Sequence, residues 1–354
     1  MHGAIGPIAD EWDALADLLE ASPFLRPGWT SAWWTAFGGG RLQVAALHGD
    51  DRLVALVPLK RIGRTLAVTA NWHTPEADLL AESSETARLL ADSILATRPR
   101  RLALVFADSS SPGLAVCREA ADAAGFRTLL HVRERSPFVE IGGSFDEFER
   151  NLDRSLRTNV HRRRRRLEQE GVLGFDVLEG GERLEEALVK GFGIEGSGWK
   201  TRQGTAIASR PDTLRFYGDV ARWAAERGWL QLAFLRLDAR PLAFHFNLRH
   251  GGVLYHLKGG YDPSFARFSP SKLLHHEMIR RAFAEGLASY EFLGAEEEWK
   301  REWTETVRER LVLEAFASTL QGRLDWLAHV AGRPAAGRLR TAQRRARIRR
   351  GSSA

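Results

Sequence analysis

The 354-residue chain contains one cysteine, two methionines and four tyrosines. Cys117 has no partner for an internal disulfide, and its place in the helix-like run SPGLAVCREAADAAG reads as a small buried hydrophobe rather than a nucleophile. No apolar run approaches the roughly 20 residues needed to cross a bilayer. The first residues, MHGAIGPIADEWDALADLL, are acidic where an export signal is basic and then apolar. These absences point to a soluble chain with a cytoplasmic location. Metal motifs are missing too: there is neither a cysteine pair nor an HExxH, and His275-His276-Glu277 lacks ligand spacing, so no metal is expected.

A chain of this length exceeds the roughly 250 residues at which single cores stop growing, so two domains are expected. Hydrophobic residues at 44% and charged residues at 27% are those of a globular protein. A pI near 9.8 suggests nucleic acid until the charge is located. Eight arginines and no acid lie between Arg333 and Arg350, and without them the formal charge falls from +6 to −2. The body is nearly neutral, which argues against a broad basic face. The arginine-rich end reads as a solubilising tail, with weak contact to an anionic membrane surface as its other use.

Residues 10 to 37 predict two short helices, the second carrying Trp29, Trp33, Trp34 and Phe37. LQVAALH, GDD and RLVALVPL form a hairpin signal that TLAVTANW continues. A helix near 84 to 97, the strand RLALVF, a helix over 112 to 124 and the strand FRTLLHV complete a first unit ending near Arg135. FDEFERNLDRSLRTNVHRRRRRLEQEG predicts one long joining helix. In the second unit GVLGFDVLE predicts a strand, 181 to 196 and 211 to 227 helices, and WLQLAFLRL, PLAFHFNLR and GVLYHLKGG a three-strand meander. A helix over 270 to 285, the strand SYEFLG, a short helix over 296 to 303 and the strand VRERLVLEAF follow. The same order of elements thus occurs twice. The expected fold class is α/β (α+β), two tandem units spanning 1–135 and 136–319, with 136–172 as linking strand and helix and 320–354 as the tail. The working site is expected in the second unit.

Four segments carry a family resemblance: PFLRPGWTSAWWTAF, RTNVHRRRRRLEQEG, EGSGWKTRQGTA, and KGGYDPSFARFSPSKLLHHEMIRRAFAEGLASYEFLGAEEEWKREW. Together the chain resembles the CelD-like acetyltransferases, a branch of the GNAT superfamily related to the Fem peptidyl-transferases. The resemblance implies transfer of an acyl group from a thioester such as acetyl-CoA to an amine or hydroxyl, with a sugar or polysaccharide precursor of the cell envelope as one acceptor class. Fem relatives take aminoacyl-tRNA as donor, so a tRNA-dependent transferase is the first alternative. A non-catalytic GNAT-like protein of exopolysaccharide assembly is the second.

A donor site is read at ARFSPSK, where Ser269 fits an N-cap and Pro270 the first helical position. The amides of Ser271, Lys272 and Leu273 are then candidate phosphate ligands at the helix start, with the Lys272 and Lys258 ammonium groups beside them. This loop departs from the Gln/Arg-x-x-Gly-x-Gly/Ala pattern of GNAT enzymes, and a capped helix that binds nothing is the competing reading.

Alternation along PLAFHFNLR places Leu242, Phe244, Phe246 and Leu248 on one face and His245 and Asn247 on the other. A two-residue turn would then bring His245 opposite His256 or Lys258 on a shared polar face. His245 is one candidate general base, since an imidazole titrates near working pH. Glu195, at the end of its helix, is the other. Trp199 and Lys200 beside it, with Asp262, are candidate acceptor contacts, and Lys300 and Trp303 match the family's lysine and aromatic pair. Tyr261 is the phenol suited to protonate a departing thiolate. Arg162 to Arg166 read as a solvated helix face paired with Glu168 and Glu170, or as a site for an anionic acceptor or a tRNA backbone.

Overall fold

The computed structural model describes residues 1–197, 204 and 206–331. Two helices, α1 (Ala9–Leu18) and α2 (Pro27–Phe37), lead into strands β1 (Arg41–Gly49), β2 (Arg52–Ile62), β3 (Thr65–Val68) and β4 (Leu80–Ala81). Then come α3 (Ser84–Ala96), β5 (Arg101–Asp108), α4 (Pro112–Ala123) and β6 (Arg127–Glu140). The second half holds α5 (Phe145–Asn151), α6 (Arg154–Glu168), β7 (Leu173–Leu178), α7 (Leu184–Gly196) and α8 (Pro211–Glu226). The meander β8 (Leu230–Leu237), β9 (Arg240–His250) and β10 (Val253–Tyr261) follows, then α9 (Pro270–Ala284), β11 (Ser289–Glu291), α10 (Glu298–Arg301) and β12 (Val307–Phe316).

Among the described residues the twelve strands form one mixed sheet in the order β1-β2-β3-β5-β12-β6-β11-β10-β9-β8-β7, with β4 beside β2. No break in the sheet marks Arg135. Strand β6 runs straight through it, pairing β12 along most of its length and β11 over Phe138–Glu140. The last strand, read from sequence with the second unit, is hydrogen-bonded instead between β5 and β6 of the first half. In the opposite direction α2 packs on α8: Trp29 meets Phe216 edge-on at 5.1 Å, and a Cβ at Gly28 would stand 2.0 Å from the Trp223 indole nitrogen. Each half lends an element to the other's core.

The joining segment is two helices rather than one. Asp153 caps α6, its Oδ1 accepting from the Ser155 and Leu156 amides at 2.8 and 3.3 Å, and this local hydrogen bonding breaks the chain after α5. The β9–β10 turn is two residues, Gly251 and Gly252, both at positive φ, the backbone that tight hairpins require and glycine adopts without strain. Phe244, Phe246 and Leu248 pack under α7 and α8, as alternation predicts, but Leu242 joins the cluster beneath α9 because a register shift at Leu235/Arg236 displaces the start of β9. Cys117 is buried, and burial with the nearby Asp78 charge pushes its thiol up to about 12, which makes it inert. Among the described residues no helix is long and apolar enough to cross a membrane.

Candidate active site

Strands β10 and β11 are parallel neighbours for only three pairs, Val253–Ser289 to Tyr255–Glu291. Beyond them β10 continues to Tyr261 while β11 ends at Glu291, and a cleft of about 1240 Å³ opens there. Its walls come from both halves. The β3–β4 loop supplies Trp72 and His73 and β6 supplies Glu134, beside Glu195 at the end of α7, Lys258 to Tyr261 of β10, and the first turn of α9. The reading that confined the site to the second unit missed Trp72, His73 and Glu134, because no short motif flags a loop that reaches the cleft only after the two halves interlock.

Within β10 the register slips between His256 and Lys258, leaving Leu257 as a bulge. The slip takes Lys258 off the expected shared face but leaves His256 on it, its ring 4.2 Å from that of His245. Lys258 sits 4.6 Å from the Trp72 ring and 5.7 Å from that of Tyr217, on the α8 side. His256 instead turns toward α9, its ring 4.7 Å from His275. His245 pairs with Gly259, is fully buried, and does not line the cleft; His256 and His275 do. His245 thus sits behind the cleft wall rather than in it, which counts against its reading as a general base that takes a proton directly from an acceptor.

Glu195 is 1% exposed and lines the cleft, its Oε2 accepting from the Ile207 amide at 2.8 Å. The Glu195 charge and burial raise the Tyr217 phenol well above its usual range, burial being the larger cause. Tyr217 Oη lies 3.1 Å from His73 Nδ1. Burial first, then the Lys258 charge, press the His73 imidazole down to about 3, so it is neutral at physiological pH. Tyr261 lines the cleft, and its carbonyl accepts from Ser197 Oγ at 3.2 Å.

The α9 start departs from the expected cap. Ser269 is left-handed at φ 48° and caps nothing with its side chain; its Oγ accepts from Arg163 at 2.7 Å. Lys272 and Leu273 amides donate to the Ser269 carbonyl at 2.9 and 3.3 Å, so of the three amides read as phosphate ligands only that of Ser271 has no partner among the described residues. The Lys272 ammonium is paired with Glu302. Ser269, Ser271 and Lys272 all line the cleft, whereas Leu273 is buried in the core.

Asp262 is a turn residue, not an acceptor contact: its Oδ1 accepts from the Ser264 amide at 2.9 Å and its Oδ2 from Arg240 at 2.5 Å. Lys300 reaches the cleft, but its ammonium donates to the Leu293 and Ala295 carbonyls at 2.6 and 2.9 Å and so braces the loop after β11. Trp303 is buried in the core; Trp299, which sequence reading passed over, lines the cleft in its place. Trp199 and Lys200 lie outside the described residues. In the arginine cluster, Arg164 bonds Glu168 at 3.0 Å and also the buried Glu277. Arg162 bonds Asn159. Glu170 pairs with Arg267 instead, at 3.0 Å.

Residues 154–301 match the family model described as the acetyltransferase (GNAT) domain. A comparison with curated protein sequences gives no match. Among solved structures the chain is similar to FemX, with a TM-score of 0.60 at 14% identity over 92% of this chain and 98% of that one. It is similar to L-PGS from Bacillus licheniformis, with a TM-score of 0.53 at 12% identity over 87% and 97% of the two chains. It is also similar to the C-terminal (DUF2156) domain of a lysylphosphatidylglycerol synthetase candidate from Agrobacterium fabrum, TM-score 0.56, 12% identity, over 92% and 97%. At such identities these likenesses speak to the fold. The GNAT match thus covers residues 154–301, within a mixed α/β sheet flanked by helices.

Proposed function

We propose that the chain moves an acyl group from acyl-CoA onto an amine or hydroxyl held in the cleft. The observation that carries this reading is the divergence of β10 from β11, which opens a slot for an extended thioester beside the first turn of α9. The bulged Leu257 has no Cα partner in β9 and lines the slot, so its backbone N–H is the donor we assign to the developing oxyanion.

In the proposed step the acceptor nitrogen or oxygen attacks the thioester carbonyl and loses its proton to Glu195. The new C–N or C–O bond forms as the C–S bond breaks. Tyr261 gives its phenolic proton to the departing thiolate, leaving a free thiol and the acylated acceptor, and the proton held by Glu195 then passes through solvent to the Tyr261 phenolate. The first turn of α9 holds the donor's phosphates through the Ser271 amide and Lys272, once Lys272 leaves Glu302. Trp72 and Trp299 offer aromatic walls of the kind that stack on sugar rings, which favours a sugar or polysaccharide-precursor acceptor of the CelD-like type. A cytoplasmic setting belongs to this reading, since acyl-CoA is made there.

One observation favours a second reading, aminoacyl-tRNA as donor. The α9 start offers one amide where a glycine-rich loop offers several, while Arg157, His161, Arg164 and Arg165 line a separate surface groove of about 450 Å³. Isothermal titration of acetyl-CoA, with pantetheine as the phosphate-free control, separates the two. Saturable acetyl-CoA binding that weakens in Lys272→Ala supports acyl-CoA. No binding at millimolar donor, together with salt-sensitive binding of tRNA, sinks it.

A further inference from the structure

Three histidines from three separate elements meet at the cleft wall, two of them lining it and the third directly behind. His245 of β9, His256 of β10 and His275 of α9 have ring centroids 4.2, 4.1 and 4.7 Å apart. One ring nitrogen from each lies within 4.8 Å of the other two, and all three side chains are buried. A metal ion with N-ligands at about 2.0–2.1 Å holds neighbouring ligand atoms roughly 3.3 Å apart in a tetrahedron, so small ring rotations close the triangle.

The surroundings match those of ligating imidazoles. Asn247 donates through Nδ2 to the Gln231 carbonyl at 3.3 Å, which leaves its Oδ1 facing His256 Nδ1 at 2.9 Å. A carboxamide oxygen only accepts, so the proton is on Nδ1 and Nε2 is the basic nitrogen of that ring. His275 Nδ1 lies 2.9 Å from Tyr290 Oη, a second oxygen able to fix a ring and its tautomer. The backbone makes room for the cluster. A Cβ at Gly259 would stand 2.7 Å from His245 Cδ2 and 2.9 Å from His256 Cε1, so only glycine lets these rings converge.

We propose that His245, His256 and His275 bind one divalent transition-metal ion of the zinc class. All-imidazole donors select zinc, cobalt, nickel or copper over magnesium and calcium, which prefer oxygen. His256 and His275 line the cleft, so the fourth position faces it, and water or a substrate oxygen completes the tetrahedron. No motif spacing announces the site because its ligands are 11 and 19 residues apart, on two strands and a helix.

A second histidine pair supplies the control. His276 Nε2 and His161 Nε2 both lie within hydrogen-bond distance of Glu149 Oε1, at 2.6 and 3.0 Å, and one of them is exposed to solvent. That group is accounted for by its own hydrogen bonds.

The test is titration of chelator-treated full-length protein, without added histidines, with Co²⁺ followed by visible absorption and displaced by Zn²⁺. One equivalent with the intense ligand-field bands of a tetrahedral site is expected. His275→Gln and His256→Gln should abolish it, Asn247→Leu should weaken it about 10- to 100-fold, and His161→Asn should leave it unchanged. Thermal melting shows that each variant is folded. If His256→Gln does not fold, His275→Gln and Asn247→Leu still decide. No uptake by the wild type, or uptake lost only in His161→Asn, overturns the proposal. The readout uses neither donor nor acceptor, so it stands or falls separately from the transferase reading.

Discussion

Gly260 of β10 lies against the Glu195 backbone at the end of α7, so closely that a Cβ on Gly260 would stand 2.5 Å from Glu195 Cα. This contact sets where the Glu195 carboxylate stands relative to the strand that borders the cleft. Gly260→Ala should push the two elements apart, costing about 1–3 kcal/mol by overpacking and lowering turnover with it. Gly193→Ala, on the same helix with nothing within 4 Å of its added Cβ, should instead stabilise by about 0.5–1 kcal/mol. Chemical denaturation of the pair checks both signs.

Glu195→Gln keeps an oxygen to accept from the Ile207 amide, so the fold should hold. Loss of the proposed base should lower kcat roughly 10²- to 10⁴-fold with little change in donor affinity. An unchanged kcat in Glu195→Gln would assign the base to another residue.

His73 is held neutral in the cleft wall, its imidazole at about 3. A depressed histidine adds stability that is present above its unfolded value, about 6.5, and is lost as pH falls from there toward 3. Wild-type protein should therefore weaken across that window. His73→Phe forfeits the Tyr217 hydrogen bond, about 1 kcal/mol, at pH 7.5, and should show a flatter decline down to pH 4.5 in urea unfolding. Parallel declines in the two proteins would remove His73 as the cause.

Asp78 runs the other way. Burial, offset by hydrogen bonds from Ser111 and the Leu79 amide, lifts its carboxyl to about 7. The folded chain thus prefers the protonated acid, and its contribution is present below the unfolded value near 3.8 and lost as pH rises through 7. Asp78→Asn should match wild type at pH 4 and exceed it by up to about 4 kcal/mol at pH 8. Equal stability at both pH values would contradict this.

Local pattern made much of the chain readable. The turn at Gly251-Gly252, the alternation of Phe244, Phe246 and Leu248, and the helices from Pro211 and Pro270 follow from short-range rules of backbone strain, pleat and proline at a helix start. Glu195 and Tyr261 were visible as polar residues at element ends. Trp72, His73 and Trp299 were not, since each reaches the cleft from a loop or short helix whose position depends on distant packing. The face of Lys258 was misread for a related reason: one bulged residue, Leu257, inverts every side chain after it, and nothing in GVLYHLKGG marks the bulge.

The sequence by itself determined the order of strands and helices and the buried side of most of them, because periodicity and turn chemistry act within a few residues. The tertiary structure alone decided that β12 crosses into the first half, that α2 docks on α8, and that three histidines scattered along the chain converge. Those outcomes depend on which apolar surfaces cover one another and which sheet edge a late strand can pair. Such long-range choices leave no trace in local spacing.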